Sequence, residues 1–358
     1  MKRAAVLHLI PRFSTGGAER LVLAYAKDAK KRGRPVCVAS VRGGGELLDA
    51  FAEADIPTMY DKKTLFGTIK HTGKLWQYVR AHEQLIIHSH VFSADTVGYL
   101  LSHASKRVTW ISTQHNVARE SGAFRRAILA WILRRANRII AVSTQVEKSC
   151  ERSLCLQSEK ILLIENGIPL APWLNVSPAP QMHKPIQLAT IGRLSAQKGH
   201  IVLFEALAKL TEREWKLHLY GDGPLHNALA IKAEQFNIAD HIVWHGVQAD
   251  MPKMLATIDV VVQPSLWEGR SLVMMETMAA ERIVIATSPA ANEILTDDMG
   301  YVVPPQDAEA LADAIHQVLT KPEDAQDRAS DARAYAAAHF DQQDSLDAID
   351  ELYDTISE

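Results

Sequence analysis

Val260-Val261-Val262-Gln263-Pro264-Ser265-Leu266-Trp267-Glu268-Gly269-Arg270-Ser271-Leu272-Val273-Met274-Met275-Glu276 reads as three pieces. Val260–Pro264 is a short, β-branched apolar run, of the kind buried on both faces of a parallel sheet. A glycine-containing turn follows, and Leu272–Ala280 then takes up helical spacing. A buried strand passing through a short loop into a helix is the repeating unit of a doubly wound α/β fold. The unit recurs along the chain. In the first half the strand candidates are Ala4–Ile10, Val36–Val41, Leu85–His90, Val108–Thr113, Arg138–Ser143 and Ile161–Glu165. In the second they are Ile186–Gly192, Lys216–Tyr220, His241–His245, Val260–Pro264, Ile283–Thr287 and Tyr301–Val303. Helical patterns such as Ala18–Lys31, Ile201–Leu210 and Ala308–Leu319 fill the gaps. Because the series occurs twice, the expectation is α/β with two Rossmann-like, doubly wound parallel-sheet domains.

A length of 358 residues fits two domains. Five prolines fall within residues 168–185, so 171–185 is expected to be an irregular linker between an N-terminal domain, 1–170, and a C-terminal one, 186–339. The acidic segment Phe340–Ile356 has helical spacing. Contents of 47% hydrophobic and 23% charged residues exclude disordered and fibrous classes. No run approaches the roughly 18 apolar residues of a bilayer span. Ala4–Ile10 is stopped by Pro11 and reads as a buried strand rather than a signal peptide. Cys37, Cys150 and Cys155 are too few and irregular for a disulfide framework or a zinc site, which fits a cytoplasmic location.

The net charge of −3 conceals an asymmetry. Residues 1–180 hold 26 Lys+Arg against 14 Asp+Glu, and residues 181–358 hold 13 against 28. The basic half points to an anionic surface, and mutual attraction of the two halves is the plainer alternative. Five arginines meet Phe124, Ile128, Leu129, Trp131, Ile132 and Leu133 in 124–138, which holds no acid. This pattern reads as a basic amphipathic helix docking on an anionic membrane face. No motif supports nucleic acid as the partner.

Three glycine-bearing loops follow strands. Gly16-Gly17 precedes a helix start, where free N–H groups and the dipole favour an anion. Gly192-Arg193-Leu194-Ser195-Ala196-Gln197-Lys198-Gly199 places two cations at the mouth of a sheet, suited to a diphosphate. In the opening stretch, Glu268 sits in the turn and Glu276 on the helix, both within apolar sequence where an unpaired carboxylate is costly. Carboxylates accept hydrogen bonds from vicinal hydroxyls such as those of sugars and ribose. Gly269 and the N–H groups of Arg270, Ser271, Leu272 and Val273 are placed to meet a phosphate or sugar at the helix start.

With Gly221-Asp222-Gly223-Pro224 after another strand, these motifs resemble the retaining glycosyltransferases of family 4 over essentially the full length. The resemblance implies the GT-B fold, two Rossmann-like domains facing across a cleft, and a nucleotide-diphosphate sugar as donor, UDP being the expected nucleotide. By resemblance, Arg193 and Lys198 hold the donor diphosphate, Glu276 binds the ribose hydroxyls, and Glu268 contacts the donor sugar near the reacting centre. Gly16 and Gly17 match the loop approaching the donor phosphates. His115, in Ser112-Thr113-Gln114-His115-Asn116, matches the histidine that touches the transferred sugar. The family's final helix crosses back to the first domain, so by resemblance 340–356 is expected to complete the N-terminal domain, 1–170. The expected activity is transfer of a hexose or N-acetylhexosamine to a saccharide or lipid-linked saccharide for cell-surface polysaccharide, at the inner membrane face. The alternatives are a GT-B-like UDP-sugar epimerase and a non-catalytic nucleotide-sugar-binding protein.

The chain departs from the family pattern at Arg270-Ser271, where an aromatic and Gly or Pro are usual. It departs again at Ala280-Glu281 in place of Cys-Gly, and at Ala290-Ala291-Asn292-Glu293 in place of Gly-Gly before Glu. Donor identity therefore does not carry over from relatives. His88 and His90 are read as projecting to opposite faces of their strand, a poor chelate, and no Asp-x-Asp occurs. No metal site and no cofactor are expected.

Overall fold

The computed structural model describes residues 3–61, 65–103, 105–118, 122–177, 182–212, 214–291 and 293–357, the side chains of 65–70 excepted. The chain folds as two units, Met1–Asn166 with Gln343–Glu358, and Gly167–Gln342. The strands of the first are β1 (Ala5–Ile10), β2 (Val36–Ser40), β3 (Thr58–Met59), β4 (Leu85–His90), β5 (Val108–Gln114), β6 (Arg138–Ala141) and β7 (Ile161–Leu163). Those of the second are β8 (Ile186–Ile191), β9 (Trp215–Tyr220), β10 (Ile242–Gly246), β11 (Val260–Gln263), β12 (Ile283–Thr287) and β13 (Tyr301–Val303). The strands pair in parallel in the orders β3-β2-β1-β4-β5-β6-β7 and β10-β9-β8-β11-β12-β13. Each order reverses direction once, between β1 and β4 and between β8 and β11. At such a switch point the loops leaving adjacent strands run opposite ways and open a crevice for ligands.

Sheets covered on both faces require strands without a polar side, and every residue of β1 and β4 is buried. In the first unit one face packs Leu7, Leu9, Leu85 and Ile87 with Trp110, Leu129, Leu133 and Val146. In the second, Leu188, Leu217, Leu219, Val260 and Val262 pack with Phe204, Leu207, Leu311 and Ile315.

Two expectations about connections need correction. The segment expected to be an irregular linker opens with a helix, Leu170–Leu174, belonging to the second unit. Pro169 caps it and Pro172 lies in its first turn, where the missing N–H costs nothing. Trp173 and Val176 are buried, while Arg333 donates to the carbonyls of Leu174 and Val176 and Arg282 donates to that of Ser177. Residues 178–181 of that linker lie outside the described residues. The basic segment 124–138 is likewise not one helix. The helix spans Ala123–Leu133, Arg134 caps it, and Arg138 already opens β6. Asn137 ends it by exchanging hydrogen bonds with the Trp110 backbone, which ties the turn to β5.

The last helix, Gln342–Thr355, belongs to the first unit. Arg34, fully buried, donates to Asp350 at 2.9 Å and to Asp354 at 2.7 Å. Arg3 meets Asp350 at 3.1 Å, and Arg32 pairs with Asp347. Acidic residues of the second sequence half thus neutralise arginines of the first.

Candidate active site

In the second unit three loops at the C-terminal ends of β8, β9 and β11 interlock through glycines. Gly199 has φ 64°, and a Cβ there would run into the Pro264 carbonyl oxygen. Gly221 (φ 134°) lies against the Gly192 carbonyl in the same way, and Gly223 against the Leu194 backbone. The Gln197 carbonyl accepts from Leu266 N at 2.7 Å, and its side chain donates to Trp267 O at 2.9 Å. This zipper brings Lys198 Nζ to 2.5 Å from Glu268 Oε1, and both side chains are largely buried. The switch point between β8 and β11 therefore holds a cation and a carboxylate locked together.

The other predicted residues have distinct surroundings. Arg193 is exposed, with no hydrogen bond or ion pair to its guanidinium among the described residues. Glu276 is fully buried on the helix Leu272–Ala279. Ser271 caps that helix, its Oγ accepting from Met274 N at 3.3 Å. Gly269 and Val273 are half-buried and Leu272 is buried, while the Arg270 guanidinium lies 5.7 Å from the centre of the Phe340 ring. Two groups passed over in sequence lie beside these loops. Ser265 Oγ and His200 Nδ1 are buried without a hydrogen-bond partner among the described residues. Burial first, then Lys198, pushes the His200 imidazole down to about 4, so it is neutral. At Ala280-Glu281 the sequence departs from the family's Cys-Gly, yet Glu281 keeps a left-handed φ of 55°, with Arg333 3.3 Å from its carboxylate. Asn292, in a further departure, lies outside the described residues.

In the first unit Gly16 and Gly17 are exposed at the start of the helix Gly17–Lys31, and a Cβ on Gly16 would strike the Glu19 carboxylate. His115 follows β5 directly. The expectation that His88 and His90 point to opposite faces is wrong, because a strand has period two and residues two apart share a face. Their ring centres are 4.2 Å apart. His8, the β1 residue paired with His88, joins them, and ligand-capable nitrogens of all three lie within 4.8 Å of one another. The group sits at the switch point between β1 and β4. Hydrogen bonds join its rings to one another and to their neighbours. His8 Nδ1 is 3.2 Å from His90 Nε2, and His90 Nδ1 is 3.0 Å from His115 Nε2. His88 is 2.6 Å from both the Tyr353 hydroxyl and Thr113 Oγ1. The ring centres in the first two pairs stand 5.4 and 5.3 Å apart, so the nitrogens lie between the rings, head to tail.

Burial lowers these imidazoles, His8 to about 3, His115 to about 4 and both His88 and His90 well below the usual value, so all are neutral. Val91, next after His90, has φ 66° and ψ 159°, a region that costs a β-branched residue strain and is otherwise almost confined to glycine. Buried Asp95 accepts from Ser89, Ser112 and Gln114, and burial pushes it up to about 6.

On the helix Ala123–Leu133, Phe124 (81% exposed) and Trp131 (50%) face outward, and the Trp131 ring lies 5.0 Å from that of Tyr99. Arg125 lies over Phe92 and Arg135 over Trp131. No helix among the described residues is long and apolar enough to cross a membrane.

Residues 15–171 match the family described as Glycosyltransferase Family 4, and residues 185–321 the family described as Glycosyl transferases group 1. The chain is 26% identical to a Mycobacterium tuberculosis (strain CDC 1551 / Oshkosh) glycogen synthase over 299 residues, covering 79% of this chain and 70% of the relative. It is 23% identical to the Escherichia coli UDP-Gal:alpha-D-GlcNAc-diphosphoundecaprenol alpha-1,3-galactosyltransferase over 293 residues, 76% of each. Its fold is similar to that of Anabaena Alr3699/HepE in complex with UDP-glucose, with a TM-score of 0.87 and 21% identity over 98% of this chain and 99% of that one.

Proposed function

The chain is a glycosyltransferase of GT-B fold, with a family 4 domain followed by a group 1 domain, and from that premise we propose that it transfers a hexose or N-acetylhexosamine from a UDP-sugar with retention of anomeric configuration. The observation that carries the reading is the Lys198–Glu268 pair at 2.5 Å at the β8–β11 switch point, with exposed Arg193 on the same loop as Lys198. Arg193 and Lys198 take the diphosphate, and the N–H groups from Gly269 to Val273 add positive potential at the helix start. Glu268 and His115 position the sugar, and Glu276 takes the ribose hydroxyls. Gly16 and Gly17 let the backbone approach the phosphates. The bond between the anomeric carbon and the phosphate oxygen breaks. The acceptor hydroxyl oxygen bonds to that carbon on the same face, and its proton passes to the leaving phosphate. Glu268 is tied to Lys198, which suits it to accepting sugar hydroxyls rather than attacking as a nucleophile.

The acceptor in this reading is a saccharide or lipid-linked saccharide at the inner face of a membrane, for cell-surface polysaccharide. Support comes from the arginines of 125–138 beside exposed Phe124 and Trp131, and from the diphosphoundecaprenol in the name of the E. coli relative. The test is a thermal-shift screen of nucleotide-sugars, followed by UDP release when the stabilising one is mixed with a lipid extract. Release is expected from the wild type and at least about a hundredfold less from Glu268→Ala, the scale of losing one group that acts on the developing charge. Equal release by both proteins overturns the assignment.

A further inference from the structure

The hydrogen bonds joining His8, His90 and His115 have a direction, and one end of the chain fixes it. A neutral imidazole carries one N–H and one acceptor nitrogen, so each ring passes the direction to the next. His8 Nε2 is buried and finds no partner among the described residues. Were His8 Nδ1 the acceptor, Nε2 would bear an orphaned buried N–H, the rarer and costlier deficit. His8 therefore donates from Nδ1 to His90 Nε2 at 3.2 Å, and His90 donates from Nδ1 to His115 Nε2 at 3.0 Å. With Nε2 accepting, the proton of His115 lies on Nδ1, to which no described residue hydrogen-bonds.

We infer that His8 and His90 are positioning residues that hold His115 in the Nδ1–H tautomer, so that it presents a hydrogen-bond donor to an oxygen of the bound nucleotide-sugar. The second half of this statement rests on the proposed role of His115; the first does not. An outward N–H suits an oxygen-rich, anionic ligand, whereas an outward lone pair would repel it. The middle ring belongs to the last residue of β4, immediately before the left-handed Val91.

The test is nitrogen-15 NMR of histidine-labelled full-length protein at neutral pH. In the wild type the His115 signals should report protonated Nδ1 and acceptor Nε2. His8→Leu removes the donor at the head of the chain, and His115 should become a mixture of tautomers. His8→Asn restores an N–H near the same place and should restore the single tautomer. Kcat is expected to fall several-fold to about tenfold in His8→Leu, the loss of one neutral hydrogen bond, with UDP affinity unchanged. An Nε2–H tautomer in the wild type, or a tautomer indifferent to His8→Leu, overturns the inference. The stated tautomers in a protein without transferase activity would uphold the relay and refute the activity instead.

Discussion

A lysine held by a carboxylate at 2.5 Å has two duties when an anion arrives, and its removal has two costs. Arg193→Ala removes only a cation and should weaken UDP binding by about 1.5–3 kcal/mol, as for other charge-assisted hydrogen bonds. Lys198→Ala should weaken UDP by the same amount and also lower the melting temperature, since it strands the largely buried Glu268. Calorimetric titration with UDP reads both, and unchanged affinity in the two variants refutes the phosphate assignment. The histidines give a second prediction. In the fold His8 titrates at about 3 and His115 at about 4, whereas the unfolded chain protonates near 6.5. Their contribution to stability is whole above pH 6.5 and is lost as the pH falls towards 4, at about 1.4 kcal/mol per pH unit for each histidine kept neutral. Asp95, raised to about 6, works the other way between roughly pH 4 and 6 and offsets about one histidine. Urea midpoints at pH 5 and 7 measure the slope, which should be shallower in His8→Leu; a flat profile contradicts the burial of neutral rings. Lys198 and Glu268 were legible because charges in apolar sequence after a strand are costly unless used. His8 was not, since one histidine in a buried strand carries no signal until its neighbours are known.

Elements were legible where periodicity and burial agree. β1, β4, β8 and β11 follow from their apolar runs, and the helix after β11 from its spacing. The two-residue β3, Thr58–Met59, is too short to show a period, and Leu170–Leu174 is helical despite its prolines because they fall at the cap and in the first turn. The final helix was legible as a helix, and the resemblance placed it on the first domain, where it lies; the arginines it docks against were not legible. Its docking is electrostatic at the core, with Arg34 fully buried and Asp350 nearly so. Breaking such a pair from one side leaves a buried charge, which costs about 3–5 kcal/mol. Arg34→Met should therefore destabilise the protein by that amount in urea unfolding, and Arg34→Met with Asp350→Leu should recover most of it. Equal losses in single and double variants would mean that the helix is held by Leu346, Ile349 and Tyr353 instead.

Across the whole chain the sequence asymmetry of charge divides differently once folded. The last helix and tail carry Asp344, Asp347, Asp350, Glu351, Asp354 and Glu358 into the first unit, which then holds 26 basic and 20 acidic side chains. About half of the basic surplus that suggested an anionic surface is thus neutralised within the unit. What remains includes five arginines between 125 and 138, with Phe124 and Trp131 exposed among them. An aromatic pair can enter the headgroup region while arginines bind anionic lipid, at about 1 kcal/mol per cation near the surface. The protein should co-sediment with vesicles containing anionic lipid, but not with purely zwitterionic ones, and binding should weaken with added salt. Glutamate at Arg134, Arg135 and Arg138 should abolish co-sedimentation, while Phe124→Ser with Trp131→Ser should weaken it and leave its salt dependence in place. If the triple glutamate variant still sediments with anionic vesicles, these arginines do not form the membrane contact. The residual surplus of the unit then has another partner, and the lipid-linked acceptor loses its structural support.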